Sequence, residues 1–269
     1  MSRSKWDQRI QRAEKLAGEH PFAAEVLHFY KHIAVLQKSL YFHFQACSGR
    51  HAADKVFSLC DETLNFSLLA PKFPEFLAQV GTFALPSFVE AAWRLRSEGE
   101  GRWREILGSA WQTAPTLSPA SADALLASIF LQPYAEQLAD GSERGAGNET
   151  TGICPFCRAK PVVGVLRPEG DGGKRFLVCS LCSTEWPFGR IQCPACREED
   201  VEKLAVYTAS QFSHIRVEAC DTCRRYIKTV DLTKNGHAVP LVDELATIPL
   251  NLWAEEHEYT KLQANLLGI

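Results

Sequence analysis

Eight of the ten cysteines in this 269-residue chain fall into four Cys-x-x-Cys pairs: Cys154/Cys157, Cys179/Cys182, Cys193/Cys196 and Cys220/Cys223. A Cys-x-x-Cys turn sets two sulfurs about one tetrahedron edge apart, and two such turns close a four-sulfur metal site. The spacing repeats: 21 residues separate the first pair from the second, and 23 separate the third from the fourth. Each interval holds two strand-like runs and a turn, such as the Pro-Glu-Gly-Asp-Gly-Gly stretch at 168–173. A β-hairpin returns the chain to its start, so pairs one and two should meet, and pairs three and four likewise. The alternative is an interleaved cross-brace that joins pair one to pair three. The first knuckles are offset by 39 residues and the second by 41, as a duplicated metal-binding hairpin requires.

All-thiolate tetrahedral coordination suits zinc or mononuclear iron, and spacing does not choose between them. Pro155 and Pro194 inside the knuckles fit rubredoxins and zinc ribbons alike. The residues that follow the knuckles, Arg158, Ser183, Arg197 and Arg224, are not the glycine common in rubredoxins, which argues against a tightly shielded electron-transfer site. Most four-cysteine sites staple hairpins too poor in apolar residues to fold alone.

Compartment and charge narrow the reading. The first twenty residues alternate charge with apolar residues and lack the core of a secretory signal. No run approaches the ~20 apolar residues of a membrane span. The expectation is a soluble, cytoplasmic protein without stable membrane insertion, in which cysteines serve metals and not disulfides. The formal net charge is −3. Residues 151–230 hold twelve Lys/Arg and nine Asp/Glu. Two tetrathiolate sites with divalent metal would turn that formal +3 into a net −1, a poor match to a phosphate backbone. A local basic cluster at Arg224, Arg225 and Lys228 reads as a solvated face.

These sites need elements to hold them. Residues 1–139 read as an α-helical domain. Trp6, Ile10, Ala13 and Ala17 repeat at helical spacing, and Phe22, Val26, Phe29, Ile33, Leu36, Leu40 and Phe44 make a longer stripe. Pro21 suits a first helical residue. Further helices are expected around Pro74–Val80, Pro86–Ser97, Arg102–Gln112 and Ser121–Leu138. Gly99 marks a stop, Ser118-Pro119 a start, and Pro133 a kink or division. Residues 140–152 (DGSERGAGNETTG) read as a linker. Then come a first four-cysteine ribbon at 153–190 and a second at 191–232. Strands are expected at Pro161–Arg167, Arg175–Val178, Leu204–Thr208 and His214–Val217. Residues 241–269 return to helical character, and their docking place is open. The fold class is α+β: an all-α N-terminal domain, two tandem rubredoxin-like or zinc-ribbon-like hairpin modules, and a helical tail.

Other residue types are silent. His28 and His32 lie one helical turn apart with Glu25 before them, but no third convincing ligand accompanies them, and they read as surface or core-edge histidines. Cys47 and Cys60 read as small buried apolar residues. Tyr30, Tyr41, Phe42 and Phe44 exceed one helical face and are expected to pack against several neighbours. No Gly-rich phosphate loop or Ser/His/Asp signature is evident.

Longer strings add a resemblance. GICPFC at 152–157, RFLVCSLCSTEW at 175–186, Arg190 ahead of CPAC at 193–196, and EACDTCRRYIK at 218–228 resemble the formate dehydrogenase accessory protein family, FdhE. So does the tail, in DELATIPLNLWAEEHEY at 243–259 and Asn265. The chain departs from the family pattern at Leu250-Asn251-Leu252, where Leu-Asp-Leu is typical, and at Glu258-Tyr259, where Gly-Tyr is typical. The resemblance implies a non-catalytic maturation factor for respiratory, molybdenum- or tungsten-dependent formate dehydrogenase. Such a factor acts in the cytoplasm on the catalytic subunit, its partner. It also implies two metal ions per chain on the eight cysteines, with iron favoured over zinc. Two readings from other classes compete: a rubredoxin-like electron-transfer protein and a nucleic-acid-binding zinc ribbon.

Overall fold

The computed structural model describes residues 4–47, 64–84, 86–113, 121–142, 151–170 and 172–269. Cys60, Ser118-Pro119 and most of the expected linker lie outside them.

Helix α1 (Lys5–Glu19) begins at Ser4, whose Oγ accepts from the Asp7 amide at 3.2 Å. This N-cap satisfies one of the free amides of the first turn. Trp6, Ala13, Leu16 and Ala17 are its buried stripe. Pro21 opens a single 3-10 turn ahead of the long α2 (Ala24–Cys47). The short α3 (Phe66–Leu69) and α4 (Phe73–Val80) follow, then α5 (Pro86–Glu98) and α6 (Glu100–Thr113). Gly99 separates the last two at φ +80°, in the left-handed region that suits glycine. Helix α7 (Ala122–Gly141) is capped by Ser121 and buried on nearly every face. It runs through Pro133 undivided, because packing from all sides outweighs the lost amide bond. Around it α2 and α4–α6 build the largest core, including Phe44, Phe73, Phe76 and Phe130.

Two expectations for this half are corrected. Cys47 is exposed: it is the last residue of α2, beyond Phe44, where the helix leaves the core. Phe22 and Phe42 are exposed members of the aromatic stripe, since that stripe is wider than the face the bundle covers.

The two ribbons share one sheet. Strands β1 (Pro161–Glu169), β2 (Gly172–Cys179), β3 (Glu185–Pro187), β4 (Leu204–Thr208), β5 (Ile215–Cys220) and β6 (Arg225–Asp231) form one sheet, ordered β3-β2-β1-β6-β5-β4. The hairpins join through a parallel seam in which Gly164, Val165 and Leu166 face Thr229, Val230 and Asp231. A Cβ on Gly164 would stand 2.3 Å from Thr229 Oγ1, so the seam requires glycine there.

The tail folds as α8 (Pro240–Ala246), α9 (Ile248–Glu256) and a short strand β7 (Thr260–Lys261) that pairs with β6. Neighbouring residues of one strand point to opposite faces. Val178 and Tyr226 enter a cluster roofed by Leu250 and Ala254 of α9. Leu177 and Ile227 enter another, closed by Ala135 and Ala139 of α7. Helix α8 packs between α1, α2 and the sheet. There Asp243 accepts from Arg12 Nε at 2.9 Å and Nη2 at 2.5 Å, so the tail docks on the helical half. No described helix is long and apolar enough to cross a membrane.

Candidate metal centres

Each hairpin brings its own two knuckles together. Cys154, Cys157, Cys179 and Cys182 form one cluster, and Cys193, Cys196, Cys220 and Cys223 the other, with all sulfurs of a cluster within 4.8 Å of one another. The pairing is sequential, not interleaved. Across the two knuckles the sulfurs stand 3.6 Å apart (Cys154–Cys182) and 3.2 Å apart (Cys157–Cys179) in the first cluster. In the second they stand 3.7 Å apart (Cys193–Cys223) and 3.6 Å apart (Cys196–Cys220). A tetrahedron with ~2.3 Å metal–sulfur bonds has edges of about 3.8 Å. The donor set therefore fits two tetrathiolate metal ions, one per cluster.

The local backbone repeats with the motif. Arg158, Ser183, Arg197 and Arg224, each immediately after the second cysteine of a knuckle, all adopt positive φ, between 54° and 67°. In three knuckles the amide of that residue donates to the first cysteine's carbonyl: Arg158 to Cys154 at 2.9 Å, Arg197 to Cys193 at 3.0 Å, Arg224 to Cys220 at 2.8 Å. The glycine position of a rubredoxin knuckle is thus present in conformation but filled by larger residues, which bear a modest backbone cost.

Protons alone do not let four adjacent sulfurs ionise together. Hydrogen bonds from Cys157, Cys179 and Cys182 hold the Cys154 thiol far below its ordinary range, while the Cys154 thiolate raises Cys157. Burial pushes Cys179 up. A divalent or trivalent cation supplies the charge that makes four thiolates compatible.

The two clusters differ in surroundings. All four sulfurs of the first are on buried residues, whereas in the second Cys196 is exposed and Cys223 half-buried. The first cluster is lined by Leu177, Leu181, Trp186 and Phe188 and roofed by α7.

The string after the second knuckle is accounted for residue by residue. Ser183 Oγ donates to Glu136 Oε1 of α7 at 2.7 Å. Thr184 Oγ1 stands 3.1 Å from Cys182 Sγ. Glu185 accepts two bonds from Arg167, at 2.7 and 2.8 Å. Trp186 Nε1 donates to Thr151 O at 2.8 Å. Gly152, ahead of the first knuckle, touches the third: a Cβ there would meet Pro194 O at 2.1 Å.

Sequence reasoning missed the buried charges behind the clusters. Lys228, placed in a basic surface cluster, is fully buried in β6 and donates to Glu244 O at 2.6 Å, with Glu244 Oε1 at 2.9 Å. Arg224 bonds Asp221 and His257 O, so Arg225 alone of that trio is exposed without an acidic neighbour among the described residues. Glu244 also meets Lys261 and Asn265, and Asp243 meets Arg12 and His214. The adjacent acidic pair in the tail string was the available signal. Glu258, where the family pattern has glycine, sits at φ +63°. His28 and His32 are exposed and belong to no metal-competent group among the described residues.

Comparison with known proteins gives one answer throughout. The family model described as "FdhE, central domain" matches residues 153–190, and "FdhE, C-terminal domain" matches residues 191–267. A curated relative named "Protein FdhE homolog" from Aquifex aeolicus is 34% identical over 140 residues, covering 52% of this chain and 50% of that protein. One from Pseudomonas aeruginosa is 36% identical over 134 residues, covering 47% and 43%. A third, from Stutzerimonas stutzeri, is 32% identical over 199 residues, covering 71% and 64%. The matched stretch thus spans about half the length of the first two relatives. The crystal structure of the FdhE protein from Pseudomonas aeruginosa is similar over 99% of this chain and 97% of that one, with a TM-score of 0.73 and 25% identity. With the duplicated four-cysteine hairpins, the shared sheet and these matches in agreement, residues 153–267 of the chain carry the FdhE central and C-terminal domains, on the fold of the FdhE crystal structure.

Proposed function

We propose that this chain is a cytoplasmic accessory protein for the assembly of active respiratory formate dehydrogenase. It binds the catalytic subunit and is not itself an enzyme. The observation that carries the reading is the pair of four-cysteine clusters on one sheet, in a chain that carries the FdhE central and C-terminal domains. The eight cysteines hold two metal ions, with iron favoured and zinc the alternative. Their contribution is to fix the hairpins: thiolates otherwise repelling become the posts of a folded sheet. The test is capture of the purified catalytic subunit, together with formate oxidation in cells lacking this protein. Capture and lost oxidation are expected; normal oxidation with no capture would sink the reading.

A rubredoxin-like electron carrier is favoured by one feature, the exposed Cys196 at the second cluster, which brings a thiolate ligand to the surface. It predicts a reversible one-electron couple in the iron-loaded protein. A redox-silent protein isolated from iron-replete cells excludes it.

A further inference from the structure

The face of the sheet that α7 covers over the first cluster continues across β5 and β4 as an open groove. Register places Leu204, Cys220 and Arg225 on one line, and Val206, Glu218 and Ile227 on the next. Ile227 belongs to the cluster under α7, so all six side chains point to that same face. The groove has a volume of about 230 Å³ and is walled by the third knuckle at Arg190–Ala195 and by Val201.

Its composition is that of a binding surface. Ile191, Val201 and Val206 are 56%, 62% and 54% exposed, three of the large apolar residues most open to solvent among the described ones. Clustered exposed apolar residues rimmed by polar ones mark interaction sites. The rim is cationic. Arg190 and Arg225 are exposed, and neither has an acidic partner among the described residues. Arg175, 2% exposed, donates to Gly189 O at 2.8 Å, to Gln192 O at 2.9 Å and to Glu218 at 2.5 Å. Its Nε is buried with no hydrogen-bond acceptor, an orphan donor at the groove. Glu218 is shared with Arg216 and so leaves no free negative charge.

The groove opens at β4, the last strand of the sheet. An edge strand carries outward N–H and C=O groups that accept another strand.

We infer that this groove and the β4 edge receive an extended segment of the catalytic subunit, one with alternate apolar side chains and a carboxylate. The segment pairs with β4, lays its apolar side chains over Val206, Val201 and Ile191, and sets its carboxylate against Arg190 or Arg225. This rests on the functional reading above and locates it on the surface. It also places the docking strand beside Cys193 and Cys220 of the second cluster, so metal loss there would disturb the groove wall.

The experiment captures the purified catalytic subunit with the full-length, metal-loaded chain and with Val206→Asp, Ile191→Asp and Arg190→Glu. Each position is exposed, so each variant should retain two metals and wild-type circular dichroism. Loss of capture by tenfold or more in the variants, with capture by the wild type, supports the groove. Unchanged capture by all three overturns it and leaves the functional reading standing. No capture by the wild type defeats the functional reading and the assigned occupant together. A wild-type dimer that Val206→Asp separates, with subunit capture untouched, overturns the assignment in favour of a second copy as occupant. Should a variant lose metal, amide exchange on the wild-type complex decides: protection across 204–208 supports the strand pairing, and none overturns it.

Discussion

Ser183 Oγ donates to Glu136 Oε1 at 2.7 Å, and Arg9 Nη1 reaches the same oxygen at 2.8 Å. The residue after the second knuckle is therefore bonded to a helical carboxylate that also binds α1. Lys5 Nζ adds an ionic contact at 2.9 Å to Oε2, without hydrogen-bond geometry. Glu136 is fully buried, and with its neighbours it joins three parts of the chain: α1, α7 and the second knuckle.

Removing that carboxylate strands the buried Arg9 charge. Glu136→Ala should lower stability by about 3–5 kcal/mol, the range for breaking a buried ion pair. It should also speed metal release from the first cluster and leave the second unchanged. Urea unfolding and chelator-transfer kinetics read the two effects; equal acceleration at both clusters would show that Glu136 acts through global stability alone.

The clusters should empty in sequence. Chelator reaches the exposed Cys196 and half-buried Cys223 before the buried first cluster. Metal transfer should be biphasic, with the fast phase missing in Cys196→Ser and present in Cys154→Ser. A single phase, or the reverse assignment, contradicts the geometry.

Full chelation should disorder the sheet and spare most helical circular dichroism, because the large core around Phe73 and Phe130 contains no strand residue. Binding of the catalytic subunit should be lost at the same time. Loss of all helicity would show that the roof of α7 over the first cluster governs the whole bundle.

Much of this was legible from spacing. Four knuckles with a repeated interval required two hairpins, and the strands that begin at Pro161 and Leu204 lie where β-branched runs placed them. The seam was not legible. Strand β6 reads Arg-Tyr-Ile-Lys-Thr-Val-Asp, and a lysine in its middle signals solvent to any pattern reading. It is instead buried, because Glu244, some sixteen residues later, supplies its counter-charge. Strands β3 and β7 are too short for a period to appear. Arg9, Arg12 and Glu136 were invisible for the reason that hid Lys228: a buried charge is recognised by its partner, which sequence order conceals.

Acid should weaken the tail first. Burial raises Glu244, but Lys228 and Lys261 outweigh it and bring its pKa down to about 2. Burial likewise raises Asp243, and His214 and Arg12 lower it below the ordinary value of 3.8. Carboxylates depressed in the folded state contribute stability above their unfolded pKa and lose it as pH falls through the folded one. Unfolding free energy should therefore decline from about pH 4.5 toward pH 2. Glu244→Gln should flatten that decline while lowering stability at pH 7, and an unchanged slope in urea titrations would remove Glu244 as its source.

Glycine contacts offer another lever. Gly152→Ala must displace Pro194 O from 2.1 Å, and Gly164→Ala must displace Thr229 from 2.3 Å. Both should cost about 1–3 kcal/mol by overpacking, with two metals still bound after refolding. Wild-type melting would show that the Pro194 backbone, or the Thr229 side chain, yields freely.

The parallel seam between β1 and β6 has a consequence for fragments. A duplicated hairpin is ordinarily divisible, each half a self-sufficient bead on a string. Here the inner strand of each half is the neighbour of the other's. A fragment starting at Ile191 would keep all four ligands of its own cluster and the β7 pairing at Arg225 and Tyr226, and yet bare the flank of β6 from Thr229 to Asp231, with Lys228 still inside and Thr229 newly uncovered. Such a piece should bind metal and still precipitate or self-associate, because its surplus is an unclosed flank of sheet and not an empty cluster.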